Sequence, residues 1–235
     1  MEQMKNNKTK IMKKLLRMMA IAALAIVTAT SLQSCNNDDD DAFKRNPLES
    51  IVTLKTTPST GQFYMQANDS VTLIPTNLTA SPFGNKEVRA RVLYELDNNN
   101  STGHYSYAVH VDHIDTILTK TMSPMVENIE KTYGLDPLEI FDDGITGCDD
   151  GYLTVHFSAY FGGGKHVLRL VKINDSTVQL CHDNGGDIGG GIGDDIVAFR
   201  LTDMPDTEGQ YKSVTVKWKS FSGDKSAVFK YKSRE

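Results

Sequence analysis

From Leu48 onward the sequence is cut into short segments in which apolar and polar residues alternate, separated by clusters of Gly, Pro, Asn and Asp. A period of two sends successive side chains to opposite faces of a strand and cannot be kept by a helix, so this part of the chain is expected to be almost entirely β. The first group of strands is Ile51 to Thr56, Gln62 to Ala67, Ser70 to Ile74, Val88 to Leu96 and Tyr105 to Asp112. Within it Phe63, Met65 and Ala67 share one face and Tyr64 and Gln66 the other, with Asn68-Asp69 as a tight turn. Val88, Ala90 and Val92 alternate with Arg89 and Arg91, and Val109 and Val111 with His110 and Asp112. So many strands in so short a stretch fit a small, partly open OB-like barrel better than a sandwich.

Ser123-Pro124 can open one short linking helix, with Ser123 as cap, Ile129 and Tyr133 on one face and Gly134 as its stop. A second group of strands follows: Leu138 to Phe141, Tyr152 to Phe157, His166 to Ile173, Thr177 to Cys181, Ile196 to Thr202, Ser213 to Lys219 and Ala227 to Lys232. Short strands with turns every eight to twelve residues are the signature of an immunoglobulin-like β-sandwich. The expected fold class is therefore all-β, with a barrel over residues 48–121 and a sandwich over 122–235. The strands from Tyr152 to Cys181 read as an antiparallel meander, which would hold Cys148 and Cys181 about 15 Å apart and preclude a disulfide.

The N-terminus has another character. Lys5, Lys8, Lys10, Lys13, Lys14 and Arg17 precede an apolar run from Met18 to Ala29. Twelve helical residues rise only about 18 Å, short of the roughly 30 Å of a bilayer core, so residues 1–34 read as a secretory signal rather than a spanning helix. Leu32-Gln33-Ser34-Cys35 resembles the lipobox of bacterial lipoproteins, which implies cleavage before Cys35 and acylation of its thiol. In the tether that follows, residues 35–47, the run Asp38, Asp39, Asp40 and Asp41 repels itself and should be extended and solvated. It resembles the acidic export signal of Bacteroidetes lipoproteins, implying display at the surface of the outer membrane. Removing residues 1–34 leaves 19 Lys+Arg against 29 Asp+Glu, a net charge of −10. Nucleic acid is thereby disfavoured as a partner, and the barrel segment adds neither a basic groove nor an aromatic stack to hold a single strand.

Phe63-Tyr64-Met65-Gln66, Pro82 to Ala90 (PFGNKEVRA), Ile114 to Lys120, Asp150-Gly151-Tyr152-Leu153-Thr154, Val197 to Leu201 and Lys217 to Gly223 together resemble the NigD-like lipoproteins of the Bacteroidetes. The resemblance runs from the lipobox to the C-terminal segment. It implies an OB-like N-terminal domain, a C-terminal β-sandwich, and an association with bacteriocin loci that makes immunity one expected role.

Other segments carry weaker signals. The stretch Asp183 to Asp195, rich in Gly and Asp, could offer carboxylates to calcium, but it lacks tandem Gly-Asp repeats and a helix-loop-helix Glu, so a loop between strands is the simpler expectation. Gly162-Gly163-Gly164-Lys165 has no following Ser or Thr and reads as a turn, not a phosphate loop. His110 and His113, three apart on a strand, should face opposite ways, and His156 should lie on the face away from Leu153, Val155 and Phe157. Asp69-Ser70-Val71, Asp115-Thr116-Ile117 and Asp175-Ser176-Thr177 resemble the short O-glycosylation motif of exported Bacteroidetes proteins, making Ser70, Thr116 and Ser176 candidate sites. No catalytic motif, metal set or cofactor signature is found. The expected function is a membrane-anchored, non-catalytic binding or accessory lipoprotein with a protein or glycan partner; bacteriocin immunity and a hydrolase are the alternatives.

Overall fold

The computed structural model describes residues 47–97 and 106–234, which fall in one compact unit. The signal segment, Cys35 and the run Asp38 to Asp41 lie outside the described residues. The first five strands are β1 (Leu48–Thr56), β2 (Phe63–Gln66), β3 (Thr72–Pro75), β4 (Val88–Leu96) and β5 (Ser106–Thr116). They form a closed barrel in the order β1-β2-β3-β5-β4. Closure, where a partly open barrel was expected, comes from β1. Its register runs from Leu48↔Tyr94 to Leu54↔Val88 on β4, and from Thr53↔Gln66 to Thr56↔Phe63 on β2. The inward positions Val52, Leu54, Phe63, Met65, Leu73, Ala90, Val92, Val109 and Val111 fill the interior, as the alternation requires.

One break in that alternation changes a prediction. Leu93 pairs with His113 and Tyr94 with Val111, so Asp112 is an extra residue, a β-bulge. The bulge turns His113 to the same outer face as His110, not the opposite one. The two rings nevertheless have separate partners, Asn77 for His110 and Asp115 for His113.

After the barrel come β6 (Leu118–Thr121), the helix α1 (Ile129–Tyr133), β7 (Glu139–Ile140), β8 (Gly147–Asp149), β9 (Tyr152–Phe161), β10 (Val167–Asn174), β11 (Thr177–Asp183), β12 (Gly191–Arg200), β13 (Lys212–Ser220) and β14 (Gly223–Tyr231). One sheet runs β6-β12-β9-β7 with β8 also on β9, and the other runs β10-β11-β13-β14. Between them Leu153, Val155, Phe157, Leu168, Leu170, Val178, Leu180, Val197, Phe199, Val214, Val216 and Trp218 make a continuous apolar core. The pairs β6–β12 and β11–β13 are parallel, which departs from the antiparallel pairing of the immunoglobulin type.

Several boundaries move. β6 pairs with β12, so the chain leaves the barrel at Ile117 rather than at residue 121. The helix is capped by Asn128, whose side chain accepts from the Lys131 amide, while the expected cap Ser123 donates its own amide to Leu170. β9 and β10 lie in different sheets, so the meander fails at its first joint and only β10–β11 is a hairpin. Both cysteines are free and buried. Cys148 belongs to the core between the sheets, whereas Cys181 alternates with Leu180 and lies on the outer side of the second sheet. Part of the stretch expected to be a loop is strand, since Gly191 to Asp195 pair with Phe161 to Phe157. Gly193 permits this, because a Cβ there would meet the Phe161 ring at 3.0 Å.

Candidate binding site at the seam between barrel and sandwich

Arg89, Glu87 and Tyr152 belong to segments separated by more than sixty residues of sequence, and the two domains meet through them. Tyr152 opens β9 and is 1% exposed. Its hydroxyl donates to Glu87 Oε1 at 2.5 Å, an oxygen that also accepts from Arg234 Nη1 at 2.7 Å and Arg200 Nη1 at 3.3 Å. The guanidiniums of Arg234, Arg200 and Arg89 stand 4.8, 5.2 and 5.4 Å from the centre of the Tyr152 ring. Burial and the neighbouring Glu87 push the tyrosine hydroxyl up to about 12, so it remains a donor. Burial alone would raise Glu87, but the hydrogen bonds from Tyr152 and Arg234 outweigh it and hold the carboxylate below its ordinary range.

Asp150 ties the same seam a second time. Its carboxylate accepts from Lys55 Nζ at 2.6 Å and Arg234 Nη2 at 2.7 Å, and its amide donates to Asp69 Oδ1 at 2.8 Å. The turn that presents it is left-handed at both Asp150 (φ 51°) and Gly151 (φ 74°). Gly151 has no alternative, since a Cβ there would sit 2.8 Å from the Arg234 stem. Ile117, Tyr152 and Ala198, with Ile51 and Ile196, add an apolar patch beside these ties.

Arg89 is the residue most misjudged by alternation. Its place opposite Val88 and Ala90 predicts a solvent-facing side chain, yet it is 1% exposed because β9 covers that face of the barrel. Nη1 donates to Thr53 Oγ1 at 3.0 Å and Nη2 to Thr154 Oγ1 at 3.4 Å, while Nε has no partner. An unmet buried donor of this kind costs about 1 to 3 kcal/mol. Arg89 lines the inner end of a cleft of about 530 Å³ whose other walls are Glu49, Ser50, Ile51, Ala67 and Asn68 from the barrel and Asp143, Gly144, Ile145 and Asp149 from the sandwich. Asp149 makes neither a hydrogen bond nor an ion pair with any described residue, and the desolvation of its carboxyl lifts it to about 6 despite the opposing pull of Arg89.

The histidines are engaged elsewhere. His156 Nδ1 and Nε2 reach Asp143 at 2.5 Å and Asp194 at 3.1 Å, with the ring on Phe141. His166 Nδ1 and His182 Nε2 are 2.9 Å apart, and Asp187 faces His166 at 3.3 Å while accepting the amides of Gly162 and Gly164 at 2.8 and 2.7 Å. The two Gly-rich segments thus clasp each other through Asp187. Among the described residues no His, Cys, Asp and Glu side chains assemble into a metal-holding group. Ser70, Thr116 and Ser176 are all exposed.

Sequence reasoning missed that Arg89 meets Tyr152 and Thr154, although the signal was present. Glu87 to Ala90 and Asp150 to Thr154 are two of the motifs that carried the family resemblance, and they face each other across the seam.

Residues 51–117 match the NigD-like N-terminal OB domain and residues 121–231 the NigD-like C-terminal beta sandwich domain. No curated protein matches the chain in sequence. Among solved structures, a protein from Parabacteroides distasonis described as toxin-related is 25% identical, with a TM-score of 0.65 over 80% of this chain and 94% of that one. A NigD-like immunity protein from Bacteroides caccae shares the fold at 20% identity and a TM-score of 0.53, covering 78% of this chain and 92% of that one. A Bacteroides fragilis protein described as a lipoprotein does so at 12% and 0.52, over 80% and 98%. With both domains matched in order and meeting through the motifs they share, the chain belongs to the NigD-like family.

Proposed function

We propose that this chain is a lipoprotein anchored through Cys35 to the outer membrane, displayed at the cell surface, and acting by binding as a non-catalytic accessory factor of the immunity type. The observation that carries the reading is the seam. Glu87 and Asp150 each accept from two cationic side chains there, and these ties make barrel and sandwich a fixed platform. Residues committed in this way orient surfaces rather than shuttle protons. The immunity component rests on family membership and on the relative from Bacteroides caccae described as an immunity protein.

Crosslinking on intact cells followed by capture of the tagged chain should recover a defined partner. A deletion strain should lose self-protection beside a bacteriocin-producing sibling. Undiminished resistance with the partner still captured would remove the immunity role and leave the binding role, while failure to capture any partner would remove the binding role.

A further inference from the structure

We infer that the free edge of β12 from Gly191 to Ile196 accepts an extended segment of a partner protein as an added strand, and that this segment alternates apolar with basic residues. The inference rests on the reading of the chain as a binding module and names the chemistry of its partner. β12 runs from Gly191 to Arg200, and β9 lines one side of it throughout. On the other side β6 pairs only with Val197 to Arg200. Among the described residues no strand continues β6 along Gly191 to Ile196. The direction of the backbone groups follows from β9. The His156 amide donates to Thr146 Oγ1 at 3.0 Å and its carbonyl accepts from the Phe141 amide at 3.0 Å, so both point away from β12. Its partner in the register, Ile196, therefore turns its own amide and carbonyl to the open side, and Asp194 and Ile192 follow at period two. The Ile196 amide donates there to the side chain of its neighbour Asp195 at 2.7 Å, an acceptor that an adjoining strand would otherwise supply.

Charge and shape select the occupant. Residues 173–199 contain five Asp and neither Lys nor Arg, and β9 also lacks both cations. Asp194 and Asp195 are exposed on the edge itself, and Asp194 keeps its side chain 66% exposed although one oxygen reaches His156 Nε2 at 3.1 Å. A second copy of β12 would set these carboxylates against their own kind and is repelled, whereas Lys or Arg on an incoming strand is drawn in. On one face Ile192 is 66% exposed and Tyr160, its register partner on β9, is 42% exposed, with the Phe221 ring 5.3 Å from that of Tyr160. Apolar side chains of the added strand would cover this step. Main-chain bonds then supply affinity, and the acidic and apolar positions supply selection.

The test uses the full-length chain in detergent and three peptides of eight residues. One alternates Lys and Val, one alternates Glu and Val, and the third copies the first with every amide N-methylated, which keeps the charges and removes the donors. Hydrogen exchange should show the first peptide slowing the amides of Ile192 and Asp194. Titration should show it binding at least tenfold more tightly than the other two, with affinity falling as salt is raised. Ile192→Pro removes an outward amide and leaves the bonds to β9 in place, so it should melt as the parent does and abolish binding. Asp194→Asn combined with Asp195→Asn keeps both acceptors without their charge and should weaken the basic peptide roughly threefold or more. If the proline disturbs the fold, the asparagine pair decides. Overturning results would be no slowing at Ile192 and Asp194, equal binding of either control peptide, or binding indifferent to the folded variants. On intact cells the Ile192→Pro chain should fail to capture the crosslinked partner. If it captures that partner as the parent does, the edge is not the docking site and the binding-module reading stands.

Discussion

Arg89 shows how a single side chain can be illegible in a strand pattern and still decide how two domains meet. Its neighbours Val88, Ala90 and Val92 were correctly placed inside the barrel, and alternation correctly placed Arg89 outside it. What alternation cannot know is that the outside of one barrel becomes the inside of a two-domain molecule. Arg89→Met should cost about 3 kcal/mol in chemical denaturation, because Thr53, Thr154 and the acidic residues nearby would lose their buried cationic partner. A loss below about 0.5 kcal/mol, the range of ordinary surface substitutions, would mean that the side chain is solvated rather than enclosed.

At the scale of elements, the legible parts were those with two apolar faces or one clean stripe. The hairpin of β13 and β14 follows its predicted alternation from Val214 to Trp218, and the helix stops at Gly134 as expected. The strands missed were β6 and β8, whose sequences Leu118–Thr121 and Gly147–Asp149 carry no apolar alternation. The first half of β12 was hidden by Gly191 and Gly193, the second of which stands against the Phe161 ring. The Asp112 bulge defeated the reading of His110 and His113 because a one-residue insertion reverses every later side chain.

The segment leading from β7 to β8 depends on His156, and this gives a pH prediction. Burial would lower the pKa of this histidine, but its hydrogen bonds to Asp143 and Asp194 raise it overall. Asp143, raised by burial but lowered more strongly by His156, is depressed overall. A raised histidine contributes stability that is complete below about 6.5 and lost as pH climbs through its folded value. A depressed carboxylate contributes stability that is complete above about 3.9 and lost as pH falls through its folded value. The clamp should thus be strongest between about pH 4 and 6.5. The difference in melting temperature between the parent and His156→Gln should be widest there and shrink toward alkaline pH; a difference that grows with pH would contradict the assignment.

For the whole molecule, two recognisable folds and their order were readable because each has its own turn spacing and core. Their joining surface was not, because it is built from polar residues that read as solvent-facing in either domain alone. Anchoring is a property of the whole chain as well. If Cys35 carries the lipid, intact mass should show an acylated chain beginning there, and Cys35→Ala should release the protein from membranes. Replacing Asp38 to Asp41 with alanine should leave the lipid in place but protect the domains from protease added to intact cells. Equal shaving of both forms would detach surface display from the acidic run.

The tie between Glu87 and Arg234 spans 147 positions of sequence. Contacts between such distant parts of a chain come after local ones, because a long loop must close before the contact is rewarded. Barrel and sandwich can each collapse around their own apolar interiors, and the seam should close as a late kinetic event. Tyr152→Phe, which deletes the hydroxyl at its centre, should therefore leave the refolding rate nearly unchanged and speed unfolding, by roughly tenfold for a loss near 1.4 kcal/mol. The seam would then act as a latch that governs how long the assembled protein lasts rather than how quickly it forms.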